Sequence, residues 1–194
     1  MKVESLFDYI NTYVSLTANE RNILRSKITF RSYLKNQYIV QQGDICRKVS
    51  FVLSGCTRVF FIDKKGQEQI ISFGIKDWWV ADIGSFVTQQ AADYNVQCLE
   101  NTEVIQFSYN TIEELYEEIP KMERFFRKII ERSLVASQKR IVRGFSLTAK
   151  ERYIYFKENY PEIEKRVPQY MVASYLGITR EFLSKIRKEI AKEG

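Results

Sequence analysis

The sequence predicts an α+β chain: an N-terminal antiparallel β-roll of jelly-roll type flanked by helices, then one long helix, then a C-terminal helix-turn-helix unit. Three observations carry this. Residues 30–108 alternate short runs rich in Val, Ile, Phe and Tyr with turn signals. Residues 121–144 repeat apolar positions at steps of four and three. Residues 169–188 fill each constrained position of a helical hairpin with a suitable residue type. The expected units are a β-roll over 1–119, a long helix over 120–144 and the helix-turn-helix over 145–194.

Residues 3–28 read as helical, with Val3, Leu6, Phe7, Ile10 and Val14 on one face. A second short helix fits 18–27, where Thr17 can cap and Glu20 stands three residues later. The β-region follows. Tyr38 to Val40 precedes Gln42-Gly-Asp44, and Val49 to Leu53 precedes Ser54-Gly55. Thr57 to Ile62 runs into Asp63-Lys-Lys-Gly66, a hairpin signal because Gly adopts positive φ freely, and Gln69 to Phe73 returns. Tyr94 to Cys98 and Glu103 to Phe107 complete the strands.

Helix resumes over 111–119 and is closed by Pro120. In the long helix Met122, Phe126, Ile129, Ser133 and Ala136 form a heptad seam, and Phe125, Ile130, Leu134 and Ile141 form a flanking apolar face. Two apolar faces suit a helix that leans on its own domain and on a second copy, and the seam is expected to dimerise; one broad core face within a single subunit is the other reading. Thr148 and Glu151 make a capping box for a helix carrying Tyr153, Ile154 and Phe156, which ends before Pro161. A short loop then reaches Pro168, which suits the first turn of a new helix.

Composition removes several function classes. The chain has no histidine among 194 residues, which excludes Ser-His-Asp and Cys-His catalysis, His-ligated haem and a jelly-roll oxygenase whose metal needs histidines. Cys46, Cys56 and Cys98 are too few for a four-thiolate cluster within one chain, and no metal or cofactor is expected. Their odd number and spacing suggest a reducing compartment; they either sense oxidation or pack as buried thiols. The N-terminus has charges where a signal peptide has its apolar run, and no stretch could cross a bilayer, so a soluble cytoplasmic protein without membrane contact is expected. The net charge of +6 is unevenly spread: residues 121–194 hold 18 Lys and Arg against 9 Asp and Glu. A basic C-terminal third favours a polyanion such as nucleic acid, or else simply solvates exposed helices.

The helix-turn-helix stretch carries the chemistry. Val172 and Leu176 form one apolar stripe, Ile178 plugs the turn, and Leu183 and Ile186 form the second stripe. Ala173 is small where the helices cross, Gly177 sits where the chain leaves the first helix, and Thr179 can cap the second. The outer face then offers Thr179, Arg180, Glu181, Ser184, Lys185 and Lys188, with Gln169 at the start of the first helix. A helix lying in the major groove would let Arg180 donate to guanine O6 and N7 and Glu181 accept from cytosine N4. Lys185 could reach a guanine or a phosphate, and Lys188 and Lys165 phosphates. A carboxylate in a basic face weakens phosphate attraction, so it is easier to explain as base readout. Double-stranded DNA is the expected partner; an ordinary helical hairpin with a solvated face is the alternative.

The order of parts resembles the family of the cyclic-AMP receptor protein and the fumarate–nitrate regulator. The likeness rests on the roll with Gln42-Gly-Asp44, Leu53-Ser-Gly55 and Asp63-Lys-Lys-Gly66, the long helix, and the hairpin containing Thr179-Arg-Glu181. It implies a homodimeric transcription regulator on a two-fold symmetric site, with Arg180, Glu181 and Lys185 at base-contacting positions and RNA polymerase as a partner. It also implies an effector site, from which this chain departs. Ala81, Asp82 and Ala92 stand where cyclic-nucleotide binders carry Gly, Glu and the phosphate-binding Arg, and no arginine lies between Lys76 and Lys121. No tight binding of cyclic AMP or cyclic GMP is therefore expected. Phe73, Trp78, Trp79, Asp82, Phe86 and Tyr94 either line a pocket for another small effector or are core and interface packing. Many relatives continue into a β-hairpin wing after the recognition helix; this sequence stops at Gly194, so affinity is expected to lean on Lys165, Arg166 and dimerisation. The competing function is a small-molecule-binding roll whose DNA-binding unit no longer works.

Overall fold

The computed structural model describes residues 2–193. Helix α1 spans Lys2–Asn11 and α2 Ala18–Ser26. The Thr17 capping box is present in both directions: Thr17 Oγ1 accepts from Glu20 N, and Glu20 accepts from Thr17 N at 2.7 Å. The chain leaves the helical state between Asn11 and Ala18, so the helical reading of 3–28 splits in two.

Eight strands follow: β1 Thr29–Tyr33, β2 Tyr38–Val40, β3 Lys48–Ser54, β4 Cys56–Ile62, β5 Glu68–Ile75, β6 Trp79–Val80, β7 Asn95–Cys98 and β8 Thr102–Ser108. They form two antiparallel four-stranded sheets, ordered β1-β8-β3-β6 and β2-β7-β4-β5. The β4–β5 hairpin turns at Gly66 with φ of 77°, as its sequence predicts. Gly55 links β3 to β4 at φ of 102°, and a Cβ there would lie 2.4 Å from Thr102 Oγ1 and 2.7 Å from Thr102 Cα. A short helix α3, Ile83–Thr88, sits between β6 and β7.

Helix α4 spans Tyr109–Glu118, α5 Lys121–Ser146, α6 Ala149–Asn159, α7 Pro161–Arg166, α8 Gln169–Leu176 and α9 Arg180–Glu193. The segment expected as a loop before Pro168 is helix α7, with Pro161 preset for its first turn. Two hydrophobic cores result. One lies between the roll and α1, α2, α4 and the start of α5, around Phe7, Phe51, Phe107 and Phe125. The other joins Cys56, Phe60, Ile70 and Phe73 of the β4–β5 sheet to α6–α9 through Tyr153, Phe156, Val172 and Leu183. The C-terminal unit is thus docked on its own roll.

That arrangement buries the first part of the seam expected to dimerise. Of the predicted dimer seam, Met122 is 1% exposed and Phe126 8%, both filling the roll core, and Ile129 packs against them. Only Ser133 and Ala136 face solvent, and neither has the bulk to fill an interface. The exposed apolar stripe runs instead through Ile130, Leu134, Val135, Ile141, Val142 and Phe145, the last 89% exposed. Within the flanking face only Phe125 points inward.

Candidate nucleic-acid interface

Helices α8 and α9 are built as the sequence predicts. Gly177 ends α8 at φ of 67°, and Ile178 N donates to Ala173 O at 3.0 Å across the turn. Thr179 Oγ1 accepts from Phe182 N at 3.2 Å and caps α9. Val172, Ala173, Leu183 and Ile186 are buried between the helices and the rest of the unit.

This packing fixes which side of α9 faces out. Thr179, Arg180, Glu181, Ser184, Lys185 and Lys188 are all exposed, while Gln169 is half-buried at the start of α8. At about 100° per residue, positions 180, 181, 184, 185 and 188 share one side of the helix, opposite Leu183 and Ile186. Among the described residues none of these five side chains is hydrogen-bonded or ion-paired within the chain, so their donors and acceptors are available. The exposed Tyr170 and Phe182 flank this face, and periodicity alone did not mark them as surface residues. Of the two expected phosphate contacts near α7, Lys165 is exposed. Arg166 is not free: Nε and Nη2 make a bidentate pair with Glu100 at 2.9 and 2.5 Å. This pair pulls the Glu100 carboxyl below its usual range, chiefly through the Arg166 hydrogen bonds.

The six residues suggested as an effector pocket fall into separate environments. Phe73 packs on Phe156 and Tyr175, and Trp78 meets Tyr160 edge-on, so both belong to the contact with the C-terminal unit. Trp79 sits in the core against Phe51, Phe107, Phe125 and Phe126. Phe86 is buried against Tyr109, and Tyr94 is partly exposed. Asp82 is buried and accepts from three backbone nitrogens, Ser85 at 3.0 Å, Asp93 at 2.8 Å and Tyr94 at 3.0 Å.

Cys46, Cys56 and Cys98 are all buried, and burial raises each thiol, Cys56 to about 11. All three pack as buried thiols, a setting that disfavours the thiolate. Among the described residues no group of His, Cys, Asp and Glu could hold a metal, and no helix is long and apolar enough to cross a membrane.

Comparison with known proteins agrees with this architecture. The cyclic nucleotide-binding domain family matches residues 30–119. The transcriptional activator protein anr of Pseudomonas aeruginosa is 24% identical over 175 residues, covering 84% of this chain and 71% of the relative. Electron transport regulator A of Shewanella oneidensis is 24% identical over 194 residues, covering 93% and 76%. Among solved structures, the c-di-GMP responsive global regulator CLP of Xanthomonas campestris has a TM-score of 0.75 at 15% identity, covering 92% of this chain and 93% of that one. FixK2 of Bradyrhizobium japonicum has a TM-score of 0.73 at 18% identity over 86% of each chain.

The chain is similar to regulators of the Crp/Fnr type over most of its length. Its relatives are transcription regulators, not enzymes. The matched domain family implies a cyclic nucleotide, and the residues over 81–94 do not fit one. The segment over 81–94 closes on the Asp82 carboxylate, which already uses the backbone N–H groups of Asp93 and Tyr94. No arginine in that segment is available to a phosphate.

Proposed function

We propose that the chain is a homodimeric, sequence-specific DNA-binding transcription regulator of the cytoplasm, and that it does not answer to cyclic AMP. The observation that carries this is the α9 face: a rigid, capped helix whose Arg180, Glu181, Ser184 and Lys185 are exposed together and uncommitted. Arg180 and Glu181 read base edges, and Lys188, Lys185 and Lys165 meet phosphates. Relatives that are transcriptional activators support the same reading.

Dimerisation runs along the outer stripe of α5, through Ile130, Leu134, Ile141 and Phe145, which recur at steps of four and seven. A two-fold arrangement would space two α9 helices by one DNA turn, about 34 Å. RNA polymerase is the downstream partner that the family resemblance brings. Any effector acts without a cyclic phosphate in the segment over 81–94.

The test is a mobility-shift titration across salt on promoters near the protein's own gene. Wild type should give a specific complex with a steep salt slope, and Arg180→Ala and Glu181→Ala should each lose specific retention. Absent or salt-independent binding overturns the reading. Stabilisation by a small molecule with no DNA retention would favour a ligand-binding module instead.

A further inference from the structure

Phe182, in the first turn of α9, is 48% exposed. Its ring belongs to neither hydrophobic core, whereas Leu183 and Ile186 beside it are buried and Ile190 packs against them. Among the described residues it meets no second aromatic ring and no cation. The Phe182 N–H donates to Thr179 Oγ1 at 3.2 Å, so the cap fixes the backbone from which the ring leaves the helix. At about 100° per residue, Phe182 stands about 60° from Lys185 and about 100° from Glu181. The ring therefore borders the exposed face of Arg180, Glu181, Ser184 and Lys185 on its Lys185 side. The opposite border carries the exposed cation Arg187. One edge of the face is thus apolar and the other charged.

The other exposed aromatic of the hairpin, Tyr170, has a hydroxyl that water or a phosphate can meet. Phe182 has no polar atom, so contact with water gains it nothing. The first turn of a helix in the major groove comes nearest the base edges. On those edges the one apolar group is the thymine 5-methyl. A phenyl ring against that methyl removes two apolar surfaces from water together and orders only two side-chain torsions. Against cytosine the same ring would cover the N4 amino donor without offering an acceptor. Against guanine it would cover O6 and N7 without offering a donor.

We propose that Phe182 reads a thymine in each half-site through its 5-methyl group, beside the positions that Arg180, Glu181 and Lys185 contact. The assignment rests on the DNA-binding reading and deepens it. The polar side chains of the face choose bases by hydrogen bonds, and the ring adds a choice that depends on a methyl alone. The ring adjoins the uncommitted α9 face and lies on a different helix from the apolar stripe of α5, which assigns it to the duplex rather than to a second copy of the chain.

The test begins by letting the full chain select its duplex from a random pool. Each thymine of the selected half-sites is then replaced in turn by deoxyuridine, which removes the 5-methyl and leaves every hydrogen-bonding group of the base in place. At one thymine the wild type should lose about fourfold in affinity for each half-site changed, the factor that burial of one methyl implies. Phe182→Ala and Phe182→Gln should keep the thermal midpoint, because the ring lies outside both cores and the cap uses the backbone N–H. Both variants should still prefer the selected duplex to a scrambled one, yet bind its thymine and uracil forms equally. Phe182→Leu should restore part of the difference. Equal binding of both forms by the wild type at every thymine overturns the proposal. So does a loss that persists undiminished in Phe182→Ala and Phe182→Gln, because another group would then meet the methyl. Failure to select any duplex, or retention that Arg180→Ala leaves unchanged, removes the DNA-binding reading and this inference with it. Retention that depends on Arg180 but not on the methyl removes the inference alone.

Discussion

The Asp82 carboxylate accepts the backbone N–H of Tyr94 at 3.0 Å, with the Asp93 N–H on the same oxygen at 2.8 Å. Its other oxygen caps α3 at Ser85 N. The chain thus supplies its own anion to the backbone donors of the segment over 82–94. Asp82→Ala would strand three backbone donors, and the cost should be about 3 kcal/mol, with Asp82→Asn costing roughly half because one oxygen remains. Urea unfolding of the three proteins measures this. Cyclic AMP at millimolar concentration should produce no heat with the wild type.

The two faces of α5 can be separated by mutation. Phe126→Ala empties a site in the roll core and should cost about 3–5 kcal/mol of stability in a single chain. Leu134→Glu and Ile141→Glu alter exposed positions, so they should leave the thermal midpoint of the isolated chain nearly unchanged while abolishing the dimer. Sedimentation over a concentration series distinguishes the outcomes. A dimer that survives both glutamates would place its interface elsewhere.

Base readout and backbone attraction should also part company on α9. Arg180→Ala should cost about 1–3 kcal/mol on the specific site and little on random sequence. Lys188→Ala should weaken both together and lower the salt slope by about one. The check is a pair of salt titrations on specific and scrambled duplexes.

The sequence made local devices legible and left long-range ones hidden. Thr17 with Glu20, Thr148 with Glu151, Gly66 and Gly177 each act within a few residues, and each was readable. The α9 face was readable because Leu183 and Ile186 fix its inner side by periodicity alone. For α5 periodicity did not settle which face turns inward. A heptad shows that two faces exist, but only the docked roll, with Trp79 edge-on to Phe126, decides which is inside. Helix α7 was missed although Pro161 offered its signal, because six residues are too few for a period to show. Ser174 could not be read at all. Its hydroxyl accepts from Ile70 N at 3.0 Å and donates to Glu68 O, two partners more than a hundred residues away.

Gly55 tests the roll closure. It holds positive φ, and a side chain there would strike the Thr102 backbone, which belongs to the paired strand β8 and cannot give way cheaply. Gly55→Ala should therefore cost more than the roughly 1 kcal/mol expected for Gly177→Ala, where φ is also positive but the space beyond is open. Comparing the two midpoints in urea isolates the steric part.

Acid should loosen the docked C-terminal unit before it unfolds the roll. The Arg166–Glu100 pair is a link between α7 and the turn joining β7 to β8. Arg166 holds the Glu100 carboxyl below its ordinary value of 4.5, so the pair contributes fully above that pH and is lost as pH falls through the lower folded value. Both side chains are partly solvated, which limits the contribution to below about 1 kcal/mol. Glu20, Asp63, Glu131 and Glu151 are also held low and will add to the acid transition of any variant. The informative quantity is therefore the difference between wild type and Glu100→Gln. It should be constant above pH 5 and shrink as the pH drops below about 4.5, with hydrogen exchange in α7 and α8 rising first in the wild type. A difference that does not change with pH would mean that the ion pair adds nothing to the docking, leaving it to Ser174 and the Phe73–Phe156–Tyr175 contacts.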